Sequence, residues 1–374
     1  MGKKDKKGYW EKFAKKELSR IGEVQEGSEL FLLSETEIFA LKKIRKSTYW
    51  KVGVSGCMGV ALLFVPYHLF GESLFPKHQF WIPVYKDYIE LQISFLIYSL
   101  VLVLSEIWFV TYTNIKAMVK IAHACGHPNP KDSNYENNIN ALISVGLDKK
   151  QKQLESIGIN PYEGLNPIGL FVFQMIIRLK AAATGMLFKL LIKKVLGKYA
   201  LRAVIDFAGM PVYAFWNIWG SRKIMNETRI RVMAPPLIKR CADLLFESQK
   251  NNPEFINYLY DTLQLISESK RSFHYNHFLL SITLLEKFGI EIKEEPPYND
   301  NFLEEIIDLS AETRKGVQQL FVFGIMIDGA LSIQEKKAIR YLIDKKILSY
   351  TEDQIKKWTK DYFDGRGIEA FFRA

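Results

Sequence analysis

Apolar residues recur along this chain on two scales, long uncharged runs first and short amphipathic repeats later. Residues 52–70 are nineteen positions without a charged side chain, and between 91 and 115 the one charge is Glu106. At about 1.5 Å per residue each run reaches roughly the 30 Å thickness of a hydrocarbon core, which predicts two membrane-spanning helices. The first starts beside Tyr49, Trp50 and Lys51 and ends with Pro66, Tyr67 and His68, amphipathic types that settle at headgroup depth. Gly53, Cys57 and Ala61 recur every four residues along it, as do Ser55 and Gly59. Such narrow faces admit another helix backbone, either the second span or the first span of another copy, making a homo-oligomer. Residues 71–90, with Phe75, Phe80, Trp81 and Tyr85, read as a short interfacial loop closing a helical hairpin.

Two shorter uncharged runs, 164–177 and 207–220, have the length of core, interfacial or re-entrant segments. Between them Lys189, Lys193, Lys194 and Lys198 border Leu187, Phe188, Leu191, Ile192 and Val195. On a helix the first three lysines share one half and the apolar residues fill the other, a pattern suited to anionic lipid or to the solvated face of a helical bundle. Residues 127–165 read as a polar loop around one short helix near 138–156. Beyond Pro236 the pattern becomes a series of amphipathic helices. Asn252-Pro253 opens one, Gly289 closes the next but one, and Thr351 with Gln354 forms a capping box. The expected class is all-α. Its parts are a basic cytoplasmic segment (1–51), a transmembrane hairpin (52–115), a basic membrane-proximal helical region (116–235) and a C-terminal soluble helical bundle (236–374).

Composition narrows the partners. A 374-residue chain with 48% apolar and 25% charged residues is neither disordered nor fibrous. Its net charge of +10 is uneven: +5 over residues 1–51, −1 over 52–177, +9 over 178–231 and −3 over 232–374. The basic blocks flank apolar sequence, which favours an anionic membrane surface over nucleic acid. Lys42, Lys43, Arg45, Lys46 and Lys51 precede the first span, and Lys116 and Lys120 follow the second. The positive-inside rule then puts both termini in the cytoplasm of a bacterial inner membrane. Cys57, Cys125 and Cys241 suggest no disulfide framework. The run at 52 lies too far along for a cleaved signal peptide, and Lys6 breaks the myristoylation pattern.

Candidate chemistry is sparse. Glu106 is the intramembrane polar residue, and the nearby Trp108 and Tyr112 suggest that its carboxylate reaches water or a lysine rather than forming a proton path. His123, Cys125 and His127 are zinc-ligand types, but Gly126 and Pro128 end the helix that would align them. His274 and His277 lie far along the chain, so no metal site is expected. No phosphate-binding loop, dinucleotide fingerprint, zinc-protease pair or nucleophile elbow occurs, and no cofactor is expected. The run Ile327-Asp328-Gly329-Ala330-Leu331-Ser332-Ile333-Gln334-Glu335 has a Ser332/Glu335 capping box and reads as a tight turn between helices. As a calcium loop it would place Gly324 and Met326 where oxygen ligands are needed.

That turn and its flanks, residues 323–339, resemble the helix-turn-helix core of TerB-like domains, a helical family associated with tellurite resistance and bacterial stress systems. The resemblance covers about the last seventy residues. Gly209-Met210-Pro211, Asn217 and the basic stretch 222–231 are similar to the tail of EcsC-like membrane-associated proteins. The expected function is a membrane-anchored scaffold or sensor in envelope stress, with a cytoplasmic protein partner and no catalytic activity. Two other classes stay open: an oligomeric channel or transporter component, and a membrane-bound enzyme acting on lipid through Asp206, Glu227 or the histidines.

Overall fold

The structure is a computed structural model that describes residues 9–19, 33–82, 87–125, 135–146, 159, 209–272, 274–292, 299 and 301–373. These residues are mostly helical. In chain order they form α1 (Tyr9–Leu18), α2 (Glu35–Leu74), β1 (His78–Ile82), β2 (Asp87–Leu91), α3 (Ile93–Ala124), α4 (Tyr135–Gly146) and α5 (Gly209–Gln249). There follow α6 (Pro253–Asn257), α7 (Leu259–Lys270), α8 (Tyr275–Lys287), α9 (Phe302–Glu305), α10 (Ala311–Met326), α11 (Ile333–Asp344), α12 (Glu352–Asp364) and α13 (Glu369–Arg373). The chain divides into two compact units: Leu41–Lys120 with Val172–Met225, and Met1–Ala40 with Ile121–Phe171 and Asn226–Ala374.

In the first unit, α2 and α3 are long and apolar enough to cross a membrane. Both outrun the apolar stretches that predict them, because α2 continues through the charged residues before Val52 and ends beyond a break at Gly71 (φ 46°). Between them the expected interfacial loop is instead a two-stranded antiparallel hairpin, with His78 opposite Leu91 and Ile82 opposite Asp87. Aromatic and β-branched residues fit a pleated ribbon, and the pairing satisfies backbone groups of both strands. Next to the hairpin Phe75 is buried, with Phe95 at 5.3 Å and Tyr98 at 5.7 Å between ring centroids. The Tyr98 hydroxyl donates to the Leu62 carbonyl at 2.7 Å, tying α3 to α2.

The second unit is a helical bundle around one apolar core. Phe321, Phe323 and Ile325 of α10 meet Leu263 and Ile266 of α7, Leu280 and Leu284 of α8, and Ile355 and Trp358 of α12. From α5 the core takes Ile230, Met233 and Ala234 before Pro235-Pro236 and Leu237, Ile238 and Cys241 after it; α4 adds Ala141. α12 shows how the pattern selects the buried face: Ile355, Trp358, Thr359 and Tyr362, at helical spacing, are the residues turned inward.

The caps fall where local chemistry puts them. The Asn252 side chain accepts from the Phe255 N–H, with Pro253 in the first turn. Thr351/Gln354 and Ser332/Glu335 are both complete capping boxes. Gly289 follows α8 with φ 65°.

Gly324 lets α10 and α7 touch: a Cβ there would stand 2.4 Å from Ile266 Cδ1. Gly324→Ala is expected to destabilise the full chain by about 1–3 kcal/mol, since overpacking forces neighbours off their rotamers. Ile266→Val in the same chain is expected to recover part of the loss. Thermal unfolding of the three proteins checks this; a neutral Gly324→Ala would contradict the packing.

Candidate functional site: polar pairs inside two apolar cores

Three helices meet in the first unit. Gly56 sits where α5 crosses α2, and a Cβ on it would lie 2.8 Å from the backbone of Tyr213 and Ala214. Gly53 faces Ile218 in the same way, and the Cys57 thiol lies 3.8 Å from the Met210 carbonyl. Part of the small-residue face thus receives α5, a helix of the same chain, while Gly59 faces Glu106 of α3.

That crossing holds the polar pair. The Asn217 amide donates to Glu106 Oε1 at 2.7 Å and to the Val52 carbonyl at 3.3 Å. One side chain from α5 therefore bridges α3 and α2. Around the pair the helices turn apolar surface outward: Met58, Leu62 and Val65 of α2, Leu100 and Leu104 of α3, and Phe215 of α5 are all exposed. In such surroundings a carboxylate without a donor is costly, and interhelical polar contacts are a usual way of satisfying it.

The second unit buries charge at its centre. Lys270, the last residue of α7, has a side chain with no exposure and lies 2.7 Å from Asp328 and 3.4 Å from Glu335. Burial opposes its charge, but the two carboxylates outweigh that and raise its pKa. Glu335 is also the capping residue of α11, its Oε2 accepting from the Ser332 N–H at 2.7 Å. Burial raises its pKa despite the Lys270 ammonium.

The turn carrying Asp328 is pinned from behind. The Asn276 amide donates to the Ile327 carbonyl at 2.6 Å, and the Tyr362 hydroxyl donates to the Ile230 carbonyl at 2.9 Å. Gly329, at φ 75°, has Ile230 Cδ1 2.8 Å from the place a Cβ would occupy. The motif is a packed junction of α10 and α11, and its two acidic groups hold an ammonium.

A second ionic group lies around Glu227. Its Oε1 accepts from Arg231 Nε at 2.7 Å and stands 3.0 Å from His274 Nε2. Burial would raise the Glu227 pKa, but His274 and Arg231 overcome it and hold the carboxyl below the usual range. Arg231 also donates to the Ala141 carbonyl at 3.1 Å. Glu227 thereby serves as an ion-pair acceptor, already engaged on both sides. His277 is fully buried; burial, then the nearby Lys270 and His274, push its pKa well down, so the ring is neutral.

The remaining expected site residues separate. Lys189, Lys193, Lys194, Lys198, Asp206 and His127 lie outside the described residues. His123 is exposed near the end of α3, and burial pushes the neighbouring Cys125 thiol up to about 12, too high for a thiolate at neutral pH. Among the described residues no group of three or more His, Cys, Asp or Glu side chains gathers to hold a metal ion. Asn217, Lys270 and Asn276 carry the polar contacts that residue-by-residue reading did not single out as sites. No protein-family model, curated protein or solved structure matches the chain.

Two outcomes follow from this geometry. Lys270→Met removes the charge between Asp328 and Glu335, and unfolding of the full chain is expected to become easier by about 3–5 kcal/mol; a change under 1 kcal/mol would contradict a buried ion pair.

His277 sets a pH dependence. A histidine whose folded pKa is depressed contributes stability that is complete above its unfolded value and is lost as pH falls below about 6.5. Asp261 acts in the opposite sense, since burial, then Glu305, raises it to about 6. His277→Leu should therefore flatten the loss of melting temperature between pH 7.5 and 5.5 relative to the parent, and an unchanged slope would contradict the assignment.

Proposed function

We propose that the protein is a membrane-anchored scaffold or sensor of the bacterial inner membrane, acting in envelope stress, with both termini in the cytoplasm. The observation that carries this reading is the apolar surface of α2 and α3, which the described residues leave uncovered over the middle turns of both helices. Exposed apolar patches of that extent are covered by lipid or by protein, and each helix is long enough to span. The basic residues at one end of both helices support the orientation by the positive-inside rule. The resemblance of residues 323–339 to TerB-like domains supports a stress-system role for the C-terminal bundle.

The geometry favours recognition over catalysis. Glu106 is held by Asn217, Glu227 by Arg231 and His274, and Glu335 by Lys270 and Ser332. None has the paired nucleophile and base of a reacting centre. A cytoplasmic bundle tied down by buried ion pairs can present a fixed surface to a protein partner.

Sodium carbonate washing of native membranes, followed by crosslinking and mass spectrometry, tests the reading. The full chain is expected to remain in the pellet and to crosslink reproducibly to one cytoplasmic protein. Release by carbonate would overturn the anchor; retention without a crosslinked partner would overturn the scaffold.

A further inference from the structure

α5 enters the apolar band of the first unit from the end that carries Lys51. Its register against α2 is fixed by several contacts. The Asn217 amide reaches the Val52 carbonyl, and a Cβ on Gly53 would stand 3.0 Å from Ile218 Cδ1. Deeper along α2, a Cβ on Gly56 would stand 2.8 Å from the Ala214 nitrogen, and the Cys57 thiol lies beside the Met210 carbonyl. The two helices therefore run in opposite directions. α5 begins at Gly209, so it lies beside α2 only over the first turns of the uncharged 52–70 run. Followed the other way, one turn beyond Ile218 brings Arg222 and Lys223 level with the Lys51 end of α2.

The sides of α5 are sorted. On a helix of about 3.6 residues per turn, Met210, Ala214, Asn217 and Ser221 fall on one side, the side that meets α2 and α3 or is buried. Phe215, Trp216, Trp219, Arg222 and Lys223 fall on the other, and all five are exposed. A helix that turns its outer side to water carries polar residues there. Here the outer side is aromatic from Phe215 (59% exposed) to Trp219 (52%) and becomes basic at residue 222. Apolar ring, indole, then guanidinium and ammonium is the order met on leaving a bilayer: acyl chains, interface, phosphates.

We propose that residues 209–220 insert as a half-span into the leaflet on the Lys51 side, with Phe215 against acyl chains, Trp216 and Trp219 at the interface, and Arg222 and Lys223 at the lipid phosphates. The inference rests on the membrane-anchored reading of α2 and α3 and gives α5 a lipid-facing surface of its own. The uncharged run 207–220 would be about 21 Å long as a helix, too short for a hydrocarbon core of roughly 30 Å but sufficient for one leaflet. A helix start at that depth leaves backbone N–H groups without intrahelical partners, and Pro211 in the first turn has none to leave. The half-span also carries Asn217 to Glu106, so the carboxylate gains its donor inside the band from a neutral side chain.

The test uses the full chain with Cys57→Ala, Cys125→Ala and Cys241→Ala, reconstituted in vesicles of phosphatidylcholine and phosphatidylglycerol. The single substitutions Phe215→Cys, Trp219→Cys and Lys223→Cys each carry an environment-sensitive fluorophore, quenched by nitroxides on lipid acyl chains or by iodide in water. Acyl-chain nitroxide should quench the label of Phe215→Cys about fivefold more than iodide does, with the reverse at Lys223→Cys and an intermediate ratio at Trp219→Cys. Leu100→Cys on α3 reports the span, and Tyr341→Cys in the other unit reports water.

Iodide quenching at Phe215→Cys equal to that at Tyr341→Cys would overturn the proposal, and so would shielding from both quenchers, the mark of a protein cover. If the cysteine-free chain fails to fold, the parent decides. A diazirine on the lipid acyl chain should label the peptide containing Phe215 to within about twofold of the peptide containing Leu100; an unlabelled Phe215 peptide would overturn the proposal. Lipid quenching at Leu100→Cys with water-like quenching at Phe215→Cys indicts the half-span alone, whereas water-like quenching at both indicts the membrane reading.

Discussion

Apolar surface that the described residues leave uncovered on α2 and α3 is the constraint on which the rest of the first unit depends. α3 presents apolar residues outward along most of its first half, and α2 does so from Val54 to Leu74. The hydrophobic effect penalises such surface in water by roughly 25 cal/mol per Å², and lipid is the covering phase that the membrane-anchored reading proposes. Lipid would remove that penalty, and it would bring a second demand, that each polar group be satisfied inside. The strand pairing near the helix ends, the Tyr98 to Leu62 bond and the Asn217 bridge to Glu106 each meet that demand. Glycine at 53 and 56 makes the bridge geometrically available, because α5 comes close enough for one amide to reach two helices.

The helical bundle of the second unit solves a different problem with similar means. Its interior could have been wholly apolar, yet it contains an ammonium and two carboxylates at the junction of α7, α10 and α11. Such a triad is not a large net source of stability, because desolvation cancels much of the Coulomb gain. It does penalise alternatives severely: any arrangement that separates Lys270 from Asp328 and Glu335 strands buried charge. Asn276 and Tyr362 add directionality by holding the carbonyls of Ile230 and Ile327. The result is a turn specified by hydrogen bonds on one side and an ion pair on the other.

Local features were legible in the chain before its structure. Capping boxes at Ser332/Glu335 and Thr351/Gln354 need residues three apart, and the two long apolar runs need only their own length. What depended on distance in sequence was not. Asn217 and Glu106 are 111 residues apart, and Lys270 and Asp328 are 58 apart, so neither pairing has a local signature. Lys270 reads locally as a cation closing a helix, and Asn217 as one polar residue in a short apolar run. The β-hairpin was missed because its aromatic residues also suit an interfacial loop; the alternation over five-residue strands is too short to decide between them.

The central claim is that lipid contacts the middle turns of α2 and α3. Nitroxide labels placed singly at Met58, Leu62, Leu100 and Leu104, on a chain freed of native cysteines and reconstituted in vesicles, measure it directly. Collisions with oxygen should be frequent and those with a water-soluble nickel chelate rare, with the contrast greatest at the mid-depth positions. Labels open to the nickel chelate, or shielded equally from both reagents by surrounding protein, would contradict it.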